Sequence, residues 1–340
     1  ILFGKEITQT SKPLFVAEIS CNHKGSLQEA VELIYAARDA GADAVKIQCY
    51  TPEEMTLKVK HTFNPDFMIA EGPWKGRDLY ELYQETQTPY EWIQYLLDAA
   101  RIAEIPLFSS VFGQKSLDTL ELNNCDAYKI ASFENNDINL IEKVAKTNKP
   151  LLISTGCASP EDIMRIYGIV DRKNTCLMHC VSKYPHDLGD AQLQKINFLK
   201  GFHPIVVGYS DHCLAIEAMI MAVGLGAKII EKHFTINKDT EDSKFSLQPE
   251  EFEDYIEWGH EAFEAMQTKD KGSIEDESRQ FRRSLYVVKD IKKDEFFTNE
   301  NIRSIRPSYG LPPWRYKSLL GHRANQDLLA GTAMTEEYVA

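Results

Sequence analysis

Eight short apolar segments, each followed by a segment with helical periodicity, recur between residues 15 and 264. A strand, a helix and a further strand in this order form a parallel crossover unit. Eight such units match a (β/α)8 TIM barrel, which has more strands than a typical open sheet. The sequence therefore predicts an α/β fold with a barrel over residues 1–266. The predicted strands are 15–20, 44–48, 107–110, 127–130, 151–154, 176–180 and the two runs that end at His212 and His233.

Polar side chains stand at or near the end of every predicted strand. Parallel strands of a barrel present their carboxyl ends at one face, and TIM barrels carry their active sites there. We therefore expect these side chains to converge on one site. They are Glu18, Lys46, Ser110, Lys129, Ser154, Ser182, His212 and His233.

Two histidines occupy matched positions at the ends of the last two strands. His212 follows one apolar run and His233 follows the next. A pair of imidazoles is a suitable ligand set for a divalent metal ion. The alternative is that each histidine is a hydrogen-bonded core residue. The matched positions and the acidic neighbours Asp211 and Glu231 favour the metal site.

Two lysines lie within otherwise apolar strands. A buried ammonium without a partner is costly, so Lys46 and Lys129 indicate an anionic ligand. The alternative is that they form structural ion pairs with Glu18 and Glu231.

The connection over residues 51–87 is longer than an ordinary barrel loop, and long loops of this kind are typical of lids or binding loops. Its aromatic residues and the segment 79–83 predict an ordered cover with a short helix. The next helix is predicted to begin at Thr88 and Pro89, with Thr88 as the cap and Glu91 completing a capping box.

The net charge of -13 argues against a nucleic-acid surface or an anionic membrane surface, because both need a concentrated positive patch. No apolar run reaches membrane-spanning length, and no export leader is recognisable at the amino end. We therefore expect a cytoplasmic enzyme.

Residues 267–282 are rich in charged residues and serine, which is typical of a linker. The remaining residues, 283–340, contain an internal repeat that predicts a short strand, a tight turn and a threonine-started helical turn in each copy. This segment has 9 basic and 7 acidic residues on an otherwise acidic chain, so it is expected to pack on the barrel or on a partner subunit. The repeat relates Asp290, Asp294 and Thr298 to Asp327, Gly331 and Thr335.

With these motifs the chain resembles the nonulosonic (sialic) acid synthases along nearly its whole length. The tail at 283–340 resembles the antifreeze-like (SAF) domain of that family. The motifs that carry the resemblance are AEI and NHxGS (17–26), GADAVKxQ (41–48), YKIAS (128–132), LISTG (152–156), HCVSxYP (179–185), GYSDH (208–212) and EKHFT (231–235).

Within this family, the loop at Trp74 and the segments at 79–83, 88–92, 132–134 and 241–246 most resemble those of pseudaminic acid synthases. At the last segment, N-acetylneuraminate synthases usually have the pattern Asp-His-Lys-Ala-Ser. Ser243 and Phe245 depart from that pattern and disfavour N-acetylmannosamine as the substrate.

The resemblance implies condensation of phosphoenolpyruvate with an open-chain 2,4-diacetamido-2,4,6-trideoxy-hexose, with release of phosphate. It implies a divalent ion, Mn²⁺, Co²⁺ or Mg²⁺, on His212 and His233. Glu18 is the candidate that steers or deprotonates water, and Glu134 is expected to accept from an acetamido N–H. The implied catalytic residues are Glu18, Lys46, Lys129 and Asp242. The implied substrate-binding residues are Asn22, Ser110, Ser132, Glu134, Ser154, Ser182, Tyr184, Glu231 and Arg306.

The resemblance further implies a domain-swapped homodimer in which the tail covers the partner's site and Arg306 touches the sugar. The alternatives within the family are N-acetylneuraminate or legionaminate synthase. The alternative of another class is a non-catalytic barrel that serves as a sugar-binding or scaffold protein.

Overall fold

The computed structural model describes residues 2–8, 10–59, 65–70, 74–202, 204–267 and 275–340. The chain divides into two compact units, Ile1–Gln267 and Thr268–Ala340, which are described one at a time. Within the predicted linker, residues 268–274 lie outside the described part and Asp276–Arg279 form a single helical turn.

The first unit is built around a closed barrel of eight parallel strands. Each strand pairs with the next one in the sequence, and the last pairs with the first, with Glu18 opposite His233. The prediction of a TIM barrel is therefore confirmed. The strands are β1 (Leu14–Glu18), β2 (Ala44–Cys49), β3 (Leu107–Val111), β4 (Tyr128–Ile130), β5 (Leu151–Ser154), β6 (Thr175–His179), β7 (Val206–Asp211) and β8 (Ile229–His233).

Amphipathic helices connect the strands and cover the barrel. Serine caps begin two of them, because Ser26 accepts from the backbone N–H of Glu29 and Ser159 accepts from that of Asp162. No helix in the described ranges is both long and apolar enough to span a lipid bilayer. The helices of this unit are α1 (Leu27–Asp39), α2 (Pro52–Met55), α3 (Leu79–Thr86), α4 (Ile93–Ile102), α5 (Gln114–Leu122), α6 (Ile138–Ala145), α7 (Pro160–Ile169), α8 (Lys195–Lys200), α9 (Glu217–Gly224) and α10 (Pro249–Ala265).

The predicted cap at Thr88 is wrong, and the helical turn begins one residue later than predicted. A short 3-10 turn, Tyr90–Trp92, precedes α4, and no side chain caps that turn. The Thr88 hydroxyl instead lies 3.3 Å from Nε2 of His23, which belongs to the loop after β1. A tertiary hydrogen bond has therefore replaced the local cap.

The connection over 51–87 contains the predicted short helix, α3, together with the turn α2. Its residues 60–64 and 71–73 lie outside the described part. Glu54 anchors this connection to the barrel, because its carboxylate accepts from the backbone N–H of Ser116 in α5 and from the hydroxyl of Tyr90.

The second unit contains the antiparallel strands β9 (Ser284–Val287) and β10 (Ile302–Ile305) and the helices α11 (Asp276–Arg279) and α12 (Tyr316–Leu319). The internal repeat seen in the sequence is also visible in the backbone hydrogen bonds and turns of this unit. Ile291 and Leu328, which are equivalent residues, exchange two hydrogen bonds of 2.8 Å. The turns at Asp294 and Gly331 both adopt positive φ, of 66° and 94°. The two copies are thus related by a local twofold axis through the pair of Ile291 and Leu328.

Candidate active site

Most of the polar residues predicted at the strand ends are buried inside the carboxyl-terminal mouth of the barrel. Three groups can be distinguished: a cluster of charges, a pair of histidines and a set of hydroxyls. Ser210 connects the first two, because its Oγ lies 2.9 Å from Oε1 of Glu231 and 3.5 Å from Nε2 of His212.

The charge cluster consists of two lysines and two glutamates. Lys46 Nζ lies 2.9 Å from Oε2 of Glu18 and 3.2 Å from Oε1 of Glu231. Lys129 Nζ lies 3.0 Å from both carboxylate oxygens of Glu231. The ion pairs considered from the sequence as an alternative are therefore present, with Glu231 shared by both lysines. Ser110 lies 3.3 Å from Nζ of Lys46.

The charges of this cluster shift the pKa values of Glu231 and the two lysines. Burial alone would raise the pKa of Glu231, but Lys129 and Lys46 hold it well below its usual range. Burial would lower the pKa of Lys46, but Glu18 and Glu231 raise it. Lys129 differs, because burial and the charge of Lys46 outweigh Glu231 and lower its pKa. The positive charge of Lys129 is thus less well neutralised by its neighbours than that of Lys46, and an additional anion nearby would stabilise it.

The two histidines lie side by side, with ring centroids 5.6 Å apart. Nδ1 of His212 lies 2.9 Å from the carbonyl oxygen of Val181, so that nitrogen donates and Nε2 is left as the acceptor. Burial and the neighbouring His233 hold the pKa of His212 well below its usual range. The ring is therefore neutral, which is the form that binds metal ions.

The donor set of this pair fits a divalent ion. If each ring places one nitrogen about 2.1 Å from a shared ion, the centroids lie about 5–6 Å apart. Nδ1 of His233 is buried without a hydrogen-bond partner in the described structure and lies 3.5 Å from Oδ2 of Asp242. Within the described ranges, no group of three or more His, Cys, Asp or Glu side chains is placed so that it could hold a metal ion. Water or substrate would supply the other ligands, as at catalytic metal sites with open positions.

The third group consists of hydroxyl-bearing side chains that surround Gly156. Ser132 Oγ lies 2.8 Å from Sγ of Cys180, and Oγ of Ser182 is buried without a hydrogen-bond partner in the part of the chain that is described. A Cβ atom on Gly156 would lie 2.3 Å from Ser182 Oγ and 2.7 Å from Ser132 Oγ. Only glycine leaves these side chains in place. Ser132 and Ser182 thus form a hydroxyl cradle over Gly156, with the thiol of Cys180 beside it. Ser154, the residue that ends β5, is buried and two positions before this glycine.

Aromatic rings pack against the histidine pair. The ring of Tyr184 lies 4.1 Å from that of His212, and the ring of Phe245 lies 4.8 Å from that of His233. Trp74 lies 6.3 Å from Tyr184 and brings the connection over 51–87 to this side of the site. These apolar rings and the carboxylate of Asp242 form a boundary that suits a molecule with both apolar and polar groups.

Asn22 is buried, and its side chain joins two loops. Nδ2 donates to the carbonyl oxygen of Phe234 at 2.8 Å and to Oγ of Ser246 at 3.1 Å, while Oδ1 accepts from Thr240. This arrangement connects the loop after β1 to the loop after β8. The predicted contact of Asn22 with a ligand remains a prediction.

Glu134 lies in the short turn Ser132–Glu134 that follows β4. Burial raises its pKa to about 7, and Oε2 is buried without a hydrogen-bond partner within the described residues. A carboxyl group with a pKa near neutrality can either accept a hydrogen bond or, when protonated, donate one. Its predicted contact with an acetamido group remains a prediction.

The raised pKa of Glu134 predicts a dependence of stability on pH. Between pH 4.5 and 7 the unfolded chain ionises at this residue while the folded chain keeps the proton, so the free energy of unfolding falls as pH rises. We expect Glu134 to contribute a fall of about 3 kcal/mol over this window. Urea denaturation at pH 4.5 and 7 should show a smaller fall in Glu134→Gln. The exposed Glu142→Gln in α6 is the control, and equal falls in Glu134→Gln and the wild type would contradict the prediction.

Arg306 belongs to the second unit, where it is exposed. A groove of about 460 Å³ in that unit brings it together with two further arginines. This positively charged groove is suited to an anionic group. Its lining residues are Ser278, Phe281, Arg282, Arg283, Arg306 and Pro313.

Sequence reasoning missed several residues of the site. Ser210 and Cys180 were not proposed. Ser210 lies in β7 two positions before His212, and alternate residues of a strand share a face, whereas Cys180 lies in the loop after β6. Gln48, whose Nε2 lies 3.2 Å from Oε1 of Glu18, was also missed as a site residue. The two-residue period of strands is the signal that could have found Ser210 and Gln48, and no such signal marks Cys180.

Comparisons with known proteins identify the family to which the chain is similar. The sequence model of the NeuB family matches residues 33–271, and that of the SAF domain matches residues 282–339. The chain is 44% identical to the pseudaminic acid synthase of Campylobacter jejuni subsp. jejuni serotype O:23/36 (strain 81-176), over 96% of this chain and 97% of that protein. It is 31% identical to the N,N'-diacetyllegionaminic acid synthase of Campylobacter jejuni subsp. jejuni serotype O:2, over 93% of this chain and 97% of that protein. The crystal structure of spore coat polysaccharide biosynthesis protein SpsE from Bacillus subtilis matches with a TM-score of 0.66 and 32% identity, covering 100% of this chain and 98% of that chain.

Proposed function

The chain belongs to the NeuB family, and from this membership we propose that it catalyses the pseudaminic acid synthase reaction. It condenses phosphoenolpyruvate with 2,4-diacetamido-2,4,6-trideoxy-β-L-altropyranose in its open-chain form and releases phosphate. The observation that carries the proposal is the near-full-length similarity to a curated pseudaminic acid synthase, which exceeds the similarity to the legionaminic acid enzyme.

The charge cluster and the hydroxyl cradle support binding of phosphoenolpyruvate. Lys129 is only partly compensated by the shared Glu231, so the phosphate or carboxylate of the substrate would stabilise its ammonium. Ser132 and Ser182 carry hydroxyls that can donate to anionic oxygens. Ser110, beside Lys46, and Ser154, beside the cradle, are proposed to complete this anion site.

The reaction joins C3 of phosphoenolpyruvate to the aldehyde carbon of the sugar. When bound to His212 and His233, a divalent ion supplies Lewis acidity toward the sugar carbonyl. The positive charge that develops at C2 of the former phosphoenolpyruvate is neutralised by addition of water, and phosphate then leaves. We assign Glu18 to orienting or deprotonating that water, and Lys46 and Lys129 to holding the anionic groups.

The sugar is proposed to lie between the histidine pair and the aromatic rings. Asp242 and Tyr184 adjoin the histidines and are assigned to the sugar, together with Glu231 on the inner wall. Glu134 is assigned to an acetamido group. Exchanging its carboxyl for an amide in Glu134→Gln should alter the preference between altrose-type and manno-type sugars.

The function is tested by incubating the protein with phosphoenolpyruvate, Mn²⁺ and a panel of amino sugars, and measuring phosphate release and product mass. We expect turnover with the altrose-type sugar, loss of turnover with EDTA, and its return with Mn²⁺, Co²⁺ or Mg²⁺. Turnover only with N-acetylmannosamine or the legionaminic precursor would favour the alternative substrates. Binding of sugar without phosphate release from any of them would favour a scaffold protein.

We further propose that the protein is a homodimer whose second unit completes the site of the partner subunit. The support is the chain's membership of the family, the small size of the second unit and the arginine groove that includes Arg306. A short module of this kind is hard to stabilise alone. The cytoplasmic location expected from the sequence stays a prediction.

Subunit mixing tests this assembly. Lys129→Met and Arg306→Ala are each expected to be inactive as homodimers. If sites are shared between subunits, a heterodimer contains one site with both changes and one site with neither, so activity returns on mixing. The measurement is phosphate release after subunit exchange, with exchange followed by mass spectrometry of differently tagged chains. Exchange without recovered activity would contradict the shared site.

A further inference from the structure

A buried ion pair joins the ends of β7 and β8 directly behind the two histidines. Asp211 and Lys232 are opposite each other in the strand register, and Lys232 Nζ lies 3.2 Å from Oδ2 of Asp211. Asp211 immediately precedes His212, and Lys232 immediately precedes His233. Because successive side chains of a strand point to opposite faces, the ion pair lies on the outer surface of the barrel wall.

The carboxylate of Asp211 is fully occupied by hydrogen bonds. It accepts from the hydroxyl of Tyr255 at 2.7 Å, from the hydroxyl of Tyr209 at 3.0 Å and from the backbone N–H of Cys213 at 2.8 Å, in addition to Lys232. Lys232 also donates to the carbonyl oxygen of Cys213. The network therefore connects β7, β8, the closing helix α10 and the residue that follows His212.

A contribution to the stability of the fold does not by itself explain why this ion pair is buried here. Apolar residues of similar volume often replace a buried ion pair with no loss of stability, whereas removing one partner is strongly destabilising. What an apolar pair would not supply is a directional connection between two strand ends. That connection lies one residue away from each of the two imidazoles.

We propose that Asp211, Lys232 and Tyr255 are positioning residues that hold His212 and His233 at the separation needed to share one divalent ion. This inference rests on the metal site of the proposed function. Replacing a residue that orients a metal ligand without binding the metal itself typically weakens metal affinity by about 10–100-fold.

The test measures Mn²⁺ binding by the electron paramagnetic resonance signal of free Mn²⁺, together with thermal unfolding. Lys232→Met is expected to weaken Mn²⁺ binding by about 10–100-fold. Lys228→Met is the matched control, because Lys228 is also buried but lies at the other end of β8, where it donates to the carbonyl oxygen of Ser11. It should lower the unfolding temperature while leaving Mn²⁺ affinity within about twofold of the wild type, since no metal ligand adjoins it.

A double variant separates positioning from stability. Asp211→Asn with Lys232→Met removes both buried charges and keeps an amide oxygen that can accept from the tyrosine hydroxyls or the backbone N–H of Cys213, so the unfolding temperature should recover toward that of the wild type. Mn²⁺ binding should nevertheless stay at least about tenfold weaker. Recovery of Mn²⁺ affinity together with stability would overturn the inference, as would equal weakening in Lys228→Met.

Two further outcomes are decisive. If Lys232→Met does not fold, Tyr255→Phe removes one hydrogen bond to Asp211 and keeps the ring, and an unchanged Mn²⁺ affinity in that variant would overturn the inference. Failure of the wild-type protein to bind Mn²⁺, or unaltered binding in His212→Ala, would refute the proposed metal site and the inference with it. Wild-type Mn²⁺ affinity in a folded Lys232→Met refutes the inference alone.

Discussion

Lys129→Met is expected to lower kcat/KM for phosphoenolpyruvate by about 10³-fold or more while the protein still folds. A preorganised charge next to a developing charge typically contributes about 10²–10³-fold to the rate, and Lys129 is also proposed to bind the substrate anion. The fold should survive because Glu231 keeps its second partner, Lys46, at 3.2 Å.

The measurement is phosphate release over a range of phosphoenolpyruvate concentrations, with thermal unfolding as the check on folding. Lys149→Met is the control. Lys149 forms an ion pair with Glu121 and is partly exposed, so its loss should change kcat/KM by less than about twofold. A folded Lys129→Met protein with more than a tenth of wild-type activity would show that Lys129 has only a structural role.

Gly156→Ala is expected to raise the KM for phosphoenolpyruvate by about 10²-fold. The new methyl group would displace Ser182 and Ser132, whose Oγ atoms lie 2.3 and 2.7 Å from its position. If both hydroxyls donate to the substrate anion, losing two hydrogen bonds to a charged group costs about 3 kcal/mol in total. The side chains can rotate away, so the barrel should still form.

Gly168→Ala is the matched control for this variant. Gly168 lies within α7, and a Cβ atom there has no neighbour within 4 Å. Alanine in that helix should raise stability by about 1 kcal/mol and leave the KM unchanged. A wild-type KM for phosphoenolpyruvate in Gly156→Ala would exclude the hydroxyl cradle as the anion site.

The sequence by itself determined the barrel, because eight alternations of strand and helix leave few other folds open. It also identified the pair His212 and His233, since equivalent ends of neighbouring parallel strands must meet at one face. The repeat in the tail was readable for a similar reason: two copies with the same turn positions, Asp294 and Gly331, repeat the same backbone geometry. Patterns of this kind depend on the spacing of residues along the chain, and that spacing can be read directly from the sequence.

Only the tertiary structure decided which groups are partners. Lys46 and Lys129 were recognised as buried cations, but the sharing of Glu231 between them depends on how β2, β4 and β8 face one another across the barrel. Thr88 has the local pattern of a helix cap, yet its hydroxyl contacts His23, sixty-five positions away in the sequence. Ser132 and Ser182 come together around Gly156 for the same reason. Contacts between distant segments depend on distances across the closed barrel, and spacing along a single strand or helix does not specify those distances.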